Sequence, residues 1–191
     1  GRWLELAGDL IDRKKARWFL SWRDICRATD ERTVIACVYP LSGVSNKLPI
    51  MNLPTARGID AACIAGNLSS LTFDYTSRQK IGSTSMNYFI YKQFPLLAPQ
   101  QYREDDKRFI EPRVLELTYT SHSMRPWAED LGYTGAPFAF DPDRRAQLRA
   151  ELDGFFAKKY GLSRDELRYI LDPYDIKGVD YPSETFRGLK N

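Results

Sequence analysis

The chain changes character at residues 73–88, which read Phe-Asp-Tyr-Thr-Ser-Arg-Gln-Lys-Ile-Gly-Ser-Thr-Ser-Met-Asn-Tyr. An apolar, helix-like run ends there in a cluster of hydrogen-bond donors, with Arg78, Gln79, Lys80 and a flexible Gly82 followed by hydroxyls and an amide. Such side chains contribute little to a hydrophobic core, whereas they suit phosphates and base edges. The stretch therefore separates a core-forming helix from a candidate nucleic-acid-binding loop.

Two strands are predicted upstream of this helix. Residues 17–25 are rich in aromatic and β-branched side chains, and residues 33–39 form a continuous apolar run closed by a proline. Both patterns are typical of strands, and the polar turn at residues 29–32 makes an antiparallel hairpin the expected arrangement. Residues 48–53 predict a third strand, at a sheet edge because a proline interrupts it.

The helix before the loop is predicted to run from residue 58 to residue 76. Its apolar residues recur at the spacing of one helix face, and they are Ile64, Leu68, Leu71 and Tyr75. Residues 87–93 predict a short helical element, and the prolines of residues 95–99 predict an extended connector.

The second half of the chain predicts helices. Residues 109–119 show one apolar side, and Asp141 with Pro142 reads as an N-cap and first position of a helix that ends near Gly161. Residues 163–166 read as a capping box for a further helix that Pro173 ends, and residues 183–189 predict another.

The fold class that follows is α+β. We expect a β-rich recognition region with one buried helix over residues 1–99, followed by a mostly helical tail over residues 100–191 that packs on it.

The distribution of charge favours the first half as the surface for a polyanion. Residues 1–103 carry 14 Lys and Arg against 8 Asp and Glu, whereas residues 104–191 carry 14 against 17. The net charge of the whole chain is only +3. A basic half is typical of nucleic-acid binding, and two ordinary solvated faces are the alternative.

Cysteine and histidine content argues against a secreted or zinc-binding protein. The three cysteines contain no C-x-x-C pair and there is one histidine, His122. No signal peptide or membrane-spanning run is present in the sequence. We expect a cytoplasmic protein with reduced, buried thiols. Because the chain begins at Gly1, we interpret it as a piece of a longer protein.

Catalytic motifs are missing from the sequence. It contains no G-x-x-x-x-G-K-[ST], G-x-G-x-x-G or G-x-S-x-G motif, and no Asn/Asp-Pro-Pro-aromatic tetrapeptide. We therefore predict no catalytic residue and no metal site in this chain. One alternative stays open, a metal-dependent nuclease that uses Asp143, Asp175 and Lys177, although that pattern requires neighbouring strands.

The loop after the helix supplies the main candidate DNA contacts. Arg78 can fork onto guanine, Gln79 onto adenine, and Lys80 can bind a phosphate, while Gly82 lets backbone approach a ligand closely. The remaining candidates add hydroxyl or amide contacts, and they are Ser83, Thr84 and Asn87. The alternative is a charged helix C-terminus that ends at a glycine.

A second polar segment lies between the two predicted strands. In residues 27–33 the candidate DNA contacts are Arg27 and Arg32, since the charges of Asp30 and Glu31 oppose phosphate. The alternative is a hairpin turn in which Thr29 or Asp30 bonds its own backbone.

These segments resemble a known family. Residues 27–36, with the order Arg-Ala-Thr-Asp-Glu-Arg-Thr-Val-Ile-Ala, and residues 68–95 are similar to the C-terminal target-recognition region of adenine-specific DNA methyltransferases. Residues 160–172 and 182–190 are similar as well. The group includes type IIG restriction–modification enzymes and their TaqI-like relatives in phage-defence systems.

The resemblance implies a DNA target-recognition domain that is not catalytic by itself. In the family this domain forms one wall of a cleft for double-stranded DNA, while an upstream domain of the same protein binds S-adenosylmethionine and flips the target adenine. No cofactor is expected in the present chain. Where the family commonly has Gly-Gly-Thr this sequence has Gly82-Ser83-Thr84, and Asp30 stands where Asn is frequent.

A third interpretation is a protein-interaction module. Its docking surface would be the apolar stripes of the helical tail, which are Leu148, Leu152 and Phe155, and Leu167, Ile170 and Leu171. An internal core is the more ordinary use of such stripes.

Overall fold

The computed structural model describes residue 5, residues 17–51, residue 53 and residues 58–178. These residues form a small antiparallel sheet and a set of helices, so the predicted α+β class is confirmed. The strands are β1 (Trp18–Trp22), β2 (Ala36–Pro40) and β3 (Ile50–Met51). The helix predicted over residues 183–189 lies outside the described residues.

The helices follow the strands along the chain. They are α1 (Gly58–Leu68), α2 (Leu71–Arg78), α3 (Tyr88–Tyr91), α4 (Glu104–Thr118), α5 (Arg125–Asp130), α6 (Pro142–Lys159), α7 (Arg164–Leu171) and α8 (Tyr174–Lys177). Short 3-10 turns at Pro99–Gln101 and His122–Met124 precede α4 and α5.

The predicted hairpin is confirmed, and β1 is the central strand of the sheet. It pairs antiparallel with β2, where Leu20 faces Val38, and with β3, where Leu20 faces Met51. The second strand begins later than its apolar run predicts, at Ala36 instead of Thr33. The backbone N–H groups of Thr33 and Val34 instead donate to the carboxylate of Asp74, so this part of the run leaves the sheet ladder.

The single helix predicted over residues 58–76 is wrong, because the chain breaks at Ser70 and forms α1 and α2. Ser70 has extended backbone (φ −77°, ψ 148°), its hydroxyl accepts from the N–H of Phe73 at 3.3 Å, and it donates to the carbonyl of Asn67 at 2.8 Å. Serine favours this N-cap role over a helix interior. The break sends Leu71 away from the main core to pack beside Ile170.

The helix caps of the tail form as the sequence predicts. The carboxylate of Asp141 accepts from the N–H of Arg144 at 3.0 Å at the start of α6. Ser163 and Glu166 form the reciprocal capping box of α7, with the N–H of Ser163 donating to Glu166 Oε2 at 2.7 Å. Gly161 has φ +80°, a conformation that favours glycine at a helix end.

One hydrophobic core joins the two halves of the chain. Its buried members come from β1, α1, α4 and α6, for example Leu20, Leu68, Ile110 and Phe156. Helix α1 is the buried helix, and a Cβ on its Gly66 would lie 3.2 Å from side-chain atoms of both Val114 and Phe156. The absent side chain therefore lets α4 and α6 approach α1 closely.

The apolar stripes of the tail are used largely inside the chain. Leu148, Leu152 and Ile170 are buried, and Leu171 packs against the cluster of Leu71 and Ile170. Cys26 and Cys63 are buried free thiols while Cys37 is half-buried, and burial raises the pKa of Cys63 to about 12. Within the described ranges no helix has both the length and the apolar character needed to cross a membrane.

Candidate nucleic-acid interface

A buried ion pair organises the two polar segments. Asp74 and Arg78 lie one turn apart on α2, and Arg78 Nε and Nη2 donate to Asp74 Oδ2 at 3.0 and 2.9 Å. The other carboxylate contacts of Asp74 are the backbone N–H groups of Thr33 at 3.3 Å and Val34 at 2.5 Å. We call residues 27–33 the hairpin loop. The pair therefore fixes the backbone at the end of this loop.

Arg78, a predicted DNA contact, belongs to this interior arrangement. The residue is only 8% exposed, and its Nη1 and Nη2 donate to the backbone carbonyls of Ala28 at 2.9 Å and Glu31 at 2.7 Å. Since the guanidinium has its planar donors directed at these acceptors, it holds the hairpin loop from beneath and does not face solvent.

Residues 79–87, which we call the donor loop, pair with the chain just after β1. The N–H of Cys26 donates to the carbonyl of Thr84 at 3.2 Å, and the N–H of Met86 donates to the carbonyl of Asp24 at 2.7 Å. Ile25 and Ser85 form an antiparallel bridge between these contacts. Because residues 24–26 lead directly into the hairpin loop, this pairing brings the start of that loop beside the donor loop, although about fifty positions separate the two loops in the sequence.

Two buried side chains anchor the donor loop from below. Trp22 Nε1 donates to the carbonyl of Met86 at 2.7 Å, inside the core. Asp24 accepts from the Ser85 hydroxyl at 2.6 Å and from Lys47 Nζ at 2.9 Å. The Ser85 hydrogen bond lowers the pKa of Asp24 against the opposing effect of burial, and Lys47 lowers it further.

Replacing Asp24 by asparagine is expected to destabilise the protein at neutral pH by roughly 1–3 kcal/mol, since a buried charged acceptor is lost. A carboxyl group with a depressed pKa in the folded state contributes stability above its unfolded pKa, and this contribution disappears as pH falls through the folded pKa. The difference between wild type and Asp24→Asn should therefore shrink below pH about 4. Urea unfolding at neutral and acidic pH measures this difference in stability. A difference that stays the same at acidic pH would contradict the role assigned to the Asp24 carboxylate.

The remaining candidates in the donor loop are exposed. Lys80 and Thr84 face solvent, and Lys80 forms no ion pair within the part of the chain that the structure describes. Ser83 and Asn87 are exposed but also shape the loop, because Ser83 Oγ donates to the carbonyl of Ser85 at 3.2 Å and Asn87 Oδ1 accepts from the N–H of Ile90 at 3.1 Å. Gln79 reaches the carbonyl of Tyr75 at 3.5 Å with its exposed amide.

Gly82 has no packing reason to be a glycine. A Cβ built there would meet nothing within 4 Å, and its φ does not lie in the left-handed region. The surface above the residue is open, so a ligand could approach this backbone closely.

The hairpin loop places its two arginines differently. Arg27 is exposed, whereas Arg32 is half-buried and lies 3.5 Å from Asp153 on α6. The loop is also the turn that was predicted as its alternative use, since Asp30 Oδ2 accepts from the N–H of Arg27 at 3.2 Å and the N–H of Asp30 donates back to the Arg27 carbonyl at 3.2 Å. Turn formation and an exposed Arg27 are compatible.

The sequence around the donor loop contains no acidic residue, and the Asp24 carboxylate that bonds the loop is buried and paired with Lys47. From Tyr75 to Arg103 there is neither Asp nor Glu, while Lys80 and Lys92 are exposed. The hairpin loop is mixed, with a shallow cleft lined by Arg23, Asp30, Glu31, Arg32 and Ile35. The donor loop is therefore the more favourable of the two for a phosphate backbone.

Sequence reasoning did not identify the two carboxylates that organise these loops. Asp74 precedes Arg78 by four positions on one helix, and this spacing was the available signal for a pair. Asp24 gave no such signal, because its partners Lys47 and Ser85 are distant in sequence.

The residues of the nuclease alternative do not lie on strands. Asp143 occupies the first turn of α6, and Lys177 is the last residue of α8. Within residues 17–51, 53 and 58–178 no group of three or more His, Cys, Asp or Glu side chains could hold a metal ion. The strand context that such a pattern requires is thus not met.

Comparison of the chain with protein-family models, with curated proteins and with solved structures finds no match.

Proposed function

We propose that this chain is a DNA target-recognition module, not catalytic by itself, of an adenine-specific DNA methyltransferase from a restriction–modification or phage-defence system. Its ligand is double-stranded DNA. The upstream methyltransferase domain of the same cytoplasmic protein binds S-adenosylmethionine and carries out the transfer, so the cofactor belongs to the parent protein and not to this module.

The observation that supports the proposal is that residues 24–26, which lead into the hairpin loop, pair with the donor loop. The bridge of Ile25 with Ser85 and the bond from Cys26 to Thr84 bring together the two segments with the clearest resemblance to the methyltransferase family. From beneath, Arg78 binds carbonyls of the hairpin loop. Groups held in this way lose less conformational entropy when they bind a ligand.

Each exposed group then has a role that fits its chemistry. Lys80 binds a phosphate as a point charge, and Ser83 and Thr84 position the backbone through their hydroxyls. Gln79 and Arg27 are the candidates for base edges, because amide and guanidinium groups can form bidentate pairs with purines. Arg32 forms an ion pair with Asp153, so its proposed role is to contribute positive charge at a fixed position near the DNA.

Replacing Lys80 by alanine is expected to weaken binding to all DNA sequences alike, since a phosphate contact carries no sequence information. The slope of log K against log salt should become shallower by about 0.9, the value for one neutralised phosphate. Fluorescence anisotropy with a labelled duplex over a series of salt concentrations measures this slope. Lys80→Ala should fold normally, because the side chain is exposed.

Lys158→Ala is the matched control, since Lys158 is an exposed lysine near the end of α6. It should bind DNA with the wild-type salt dependence. Equal slopes for wild type, Lys80→Ala and Lys158→Ala would remove Lys80 from the interface. Absence of salt-dependent DNA binding by the wild-type chain would overturn the proposed function itself.

A further inference from the structure

Phe89 is the most exposed large apolar side chain among the described residues, with 76% of its surface accessible. It lies two positions after the donor loop, in the short helix α3. The other aromatic residues of α3 are engaged, since Tyr91 stacks on Trp22 with ring centroids 4.0 Å apart and Tyr88 meets the same ring edge-on at 5.0 Å. No described aromatic ring packs against Phe89.

The backbone that carries Phe89 is held firmly. Asn87 caps the helix, and the N–H of Tyr91 donates to the Asn87 carbonyl at 2.9 Å. The Tyr88 hydroxyl donates to the carbonyl of Ile50 at 2.9 Å, and Gln93 Nε2 donates to the carbonyl of Phe89 at 3.2 Å. The ring is therefore presented to solvent from a fixed mount, which lowers the entropic cost of using it for binding.

The neighbours of Phe89 indicate the chemistry of its ligand. Asn87, Lys92 and Gln93 are exposed around it, and no acidic residue occurs between Tyr75 and Arg103. Tyr88 is also half exposed, but its ring packs edge-on against Trp22. A lysine and two amides beside the Phe89 ring suit a nucleic acid, which offers a phosphate to the lysine and a base face to the ring.

We propose that Phe89 stacks on an unpaired nucleobase of the bound DNA, beside the phosphate held by the donor loop. The inference rests on the proposed function and adds to it a preference for DNA whose base stack is opened at the contact. A fully stacked duplex buries its base faces, so contact with Phe89 requires that a base step be opened.

The test compares two probes of the same length and sequence, a fully paired duplex and a duplex with a short central bubble of unpaired bases. The wild-type 191-residue chain should bind the bubble more tightly. Phe89→Ala should lose roughly 5- to 100-fold in affinity for the bubble, the effect of removing one base–aromatic stack, and should bind the paired duplex nearly as well as wild type. Phe89→Trp should retain the preference.

Two controls separate this inference from the proposed function. Phe140→Ala removes an aromatic ring of similar exposure, 73%, from the helical tail and should leave the preference intact. Lys80→Ala should weaken binding to both probes by the same factor. Thermal unfolding shows that each variant is folded, which is expected because both phenylalanines are exposed.

The possible outcomes are distinct. If the wild type binds both probes equally, or if Phe89→Ala keeps the bubble preference, stacking by Phe89 is overturned while DNA binding by the donor loop stands. If the wild type binds neither probe, the proposed function fails together with the inference. Stacking by Phe89 is supported if Phe89→Ala loses the preference for the bubble while Phe89→Trp and Phe140→Ala retain it.

Discussion

Replacing Asp74 by alanine is expected to lower the free energy of unfolding by about 3–5 kcal/mol, because it leaves a buried charge without its partner. Asp74 is fully buried and Arg78 nearly so. The change also deprives the backbone N–H groups of Thr33 and Val34 of the acceptor that they share. Each buried donor that loses its acceptor adds a further destabilisation.

Urea unfolding followed by far-UV circular dichroism measures this change. Asp105→Ala is the control, since Asp105 is a strongly exposed aspartate that pairs with Arg108 at the surface of α4. It should change the free energy of unfolding by less than about 1 kcal/mol. The double variant Asp74→Ala with Arg78→Met should lose less free energy of unfolding than the two single variants lose together, because it removes both charges of the pair.

A loss below about 1 kcal/mol for Asp74→Ala would contradict the assigned role. It would mean that the hairpin loop is held by other contacts. The Asp74 variant thus also tests the interior role of Arg78.

Replacing Trp22 by alanine is expected to destabilise the protein by about 3–5 kcal/mol, the range for removing a large aromatic side chain from a core. Trp22 is almost completely buried and packs face to face with Tyr91. Its indole N–H also satisfies the buried carbonyl of Met86, near the end of the donor loop. The change therefore combines a cavity with an unsatisfied acceptor.

Trp22→Phe separates these two contributions. It keeps most of the ring and loses the hydrogen bond, so it should cost roughly 1–3 kcal/mol, the penalty for an unsatisfied buried acceptor. Chemical unfolding followed by circular dichroism measures both variants. The rate of amide hydrogen exchange should rise in the donor loop and the short helix after it, residues 79–91, because no indole N–H anchors the loop in Trp22→Phe. Equal stability of Trp22→Phe and wild type would show that the bond to Met86 contributes nothing.

The candidate interface depends on both sets of contacts, since Asp74 with Arg78 holds the hairpin loop and Trp22 holds the donor loop. Asp74 and Trp22 are not themselves candidates to touch DNA. Loss of either should reduce DNA binding through misplacement of exposed donors, whereas Lys80→Ala should reduce it without loss of stability.

Local features of the chain were predictable because local rules decide them. Asp141 before Pro142, and Ser163 three positions before Glu166, set the starts of α6 and α7. Their hydrogen bonds close within three residues, so neighbours in the sequence are sufficient to specify them. The antiparallel pairing of β1 with β2 was predictable for a related reason, since the two apolar runs are near neighbours along the chain.

The pattern of residue types was therefore sufficient to specify the α+β class, the antiparallel β1–β2 pair, the caps of the tail and the concentration of donors in residues 79–87. The inward turn of Arg78, and the exposure of Lys80 two positions later, depended instead on contacts between distant segments. The acceptors that bury Arg78 include the carbonyls of Ala28 and Glu31, nearly fifty positions away along the chain. A side chain finds such partners only after the fold has brought distant segments of backbone together. No local pattern of residue types specifies which distant carbonyls those will be.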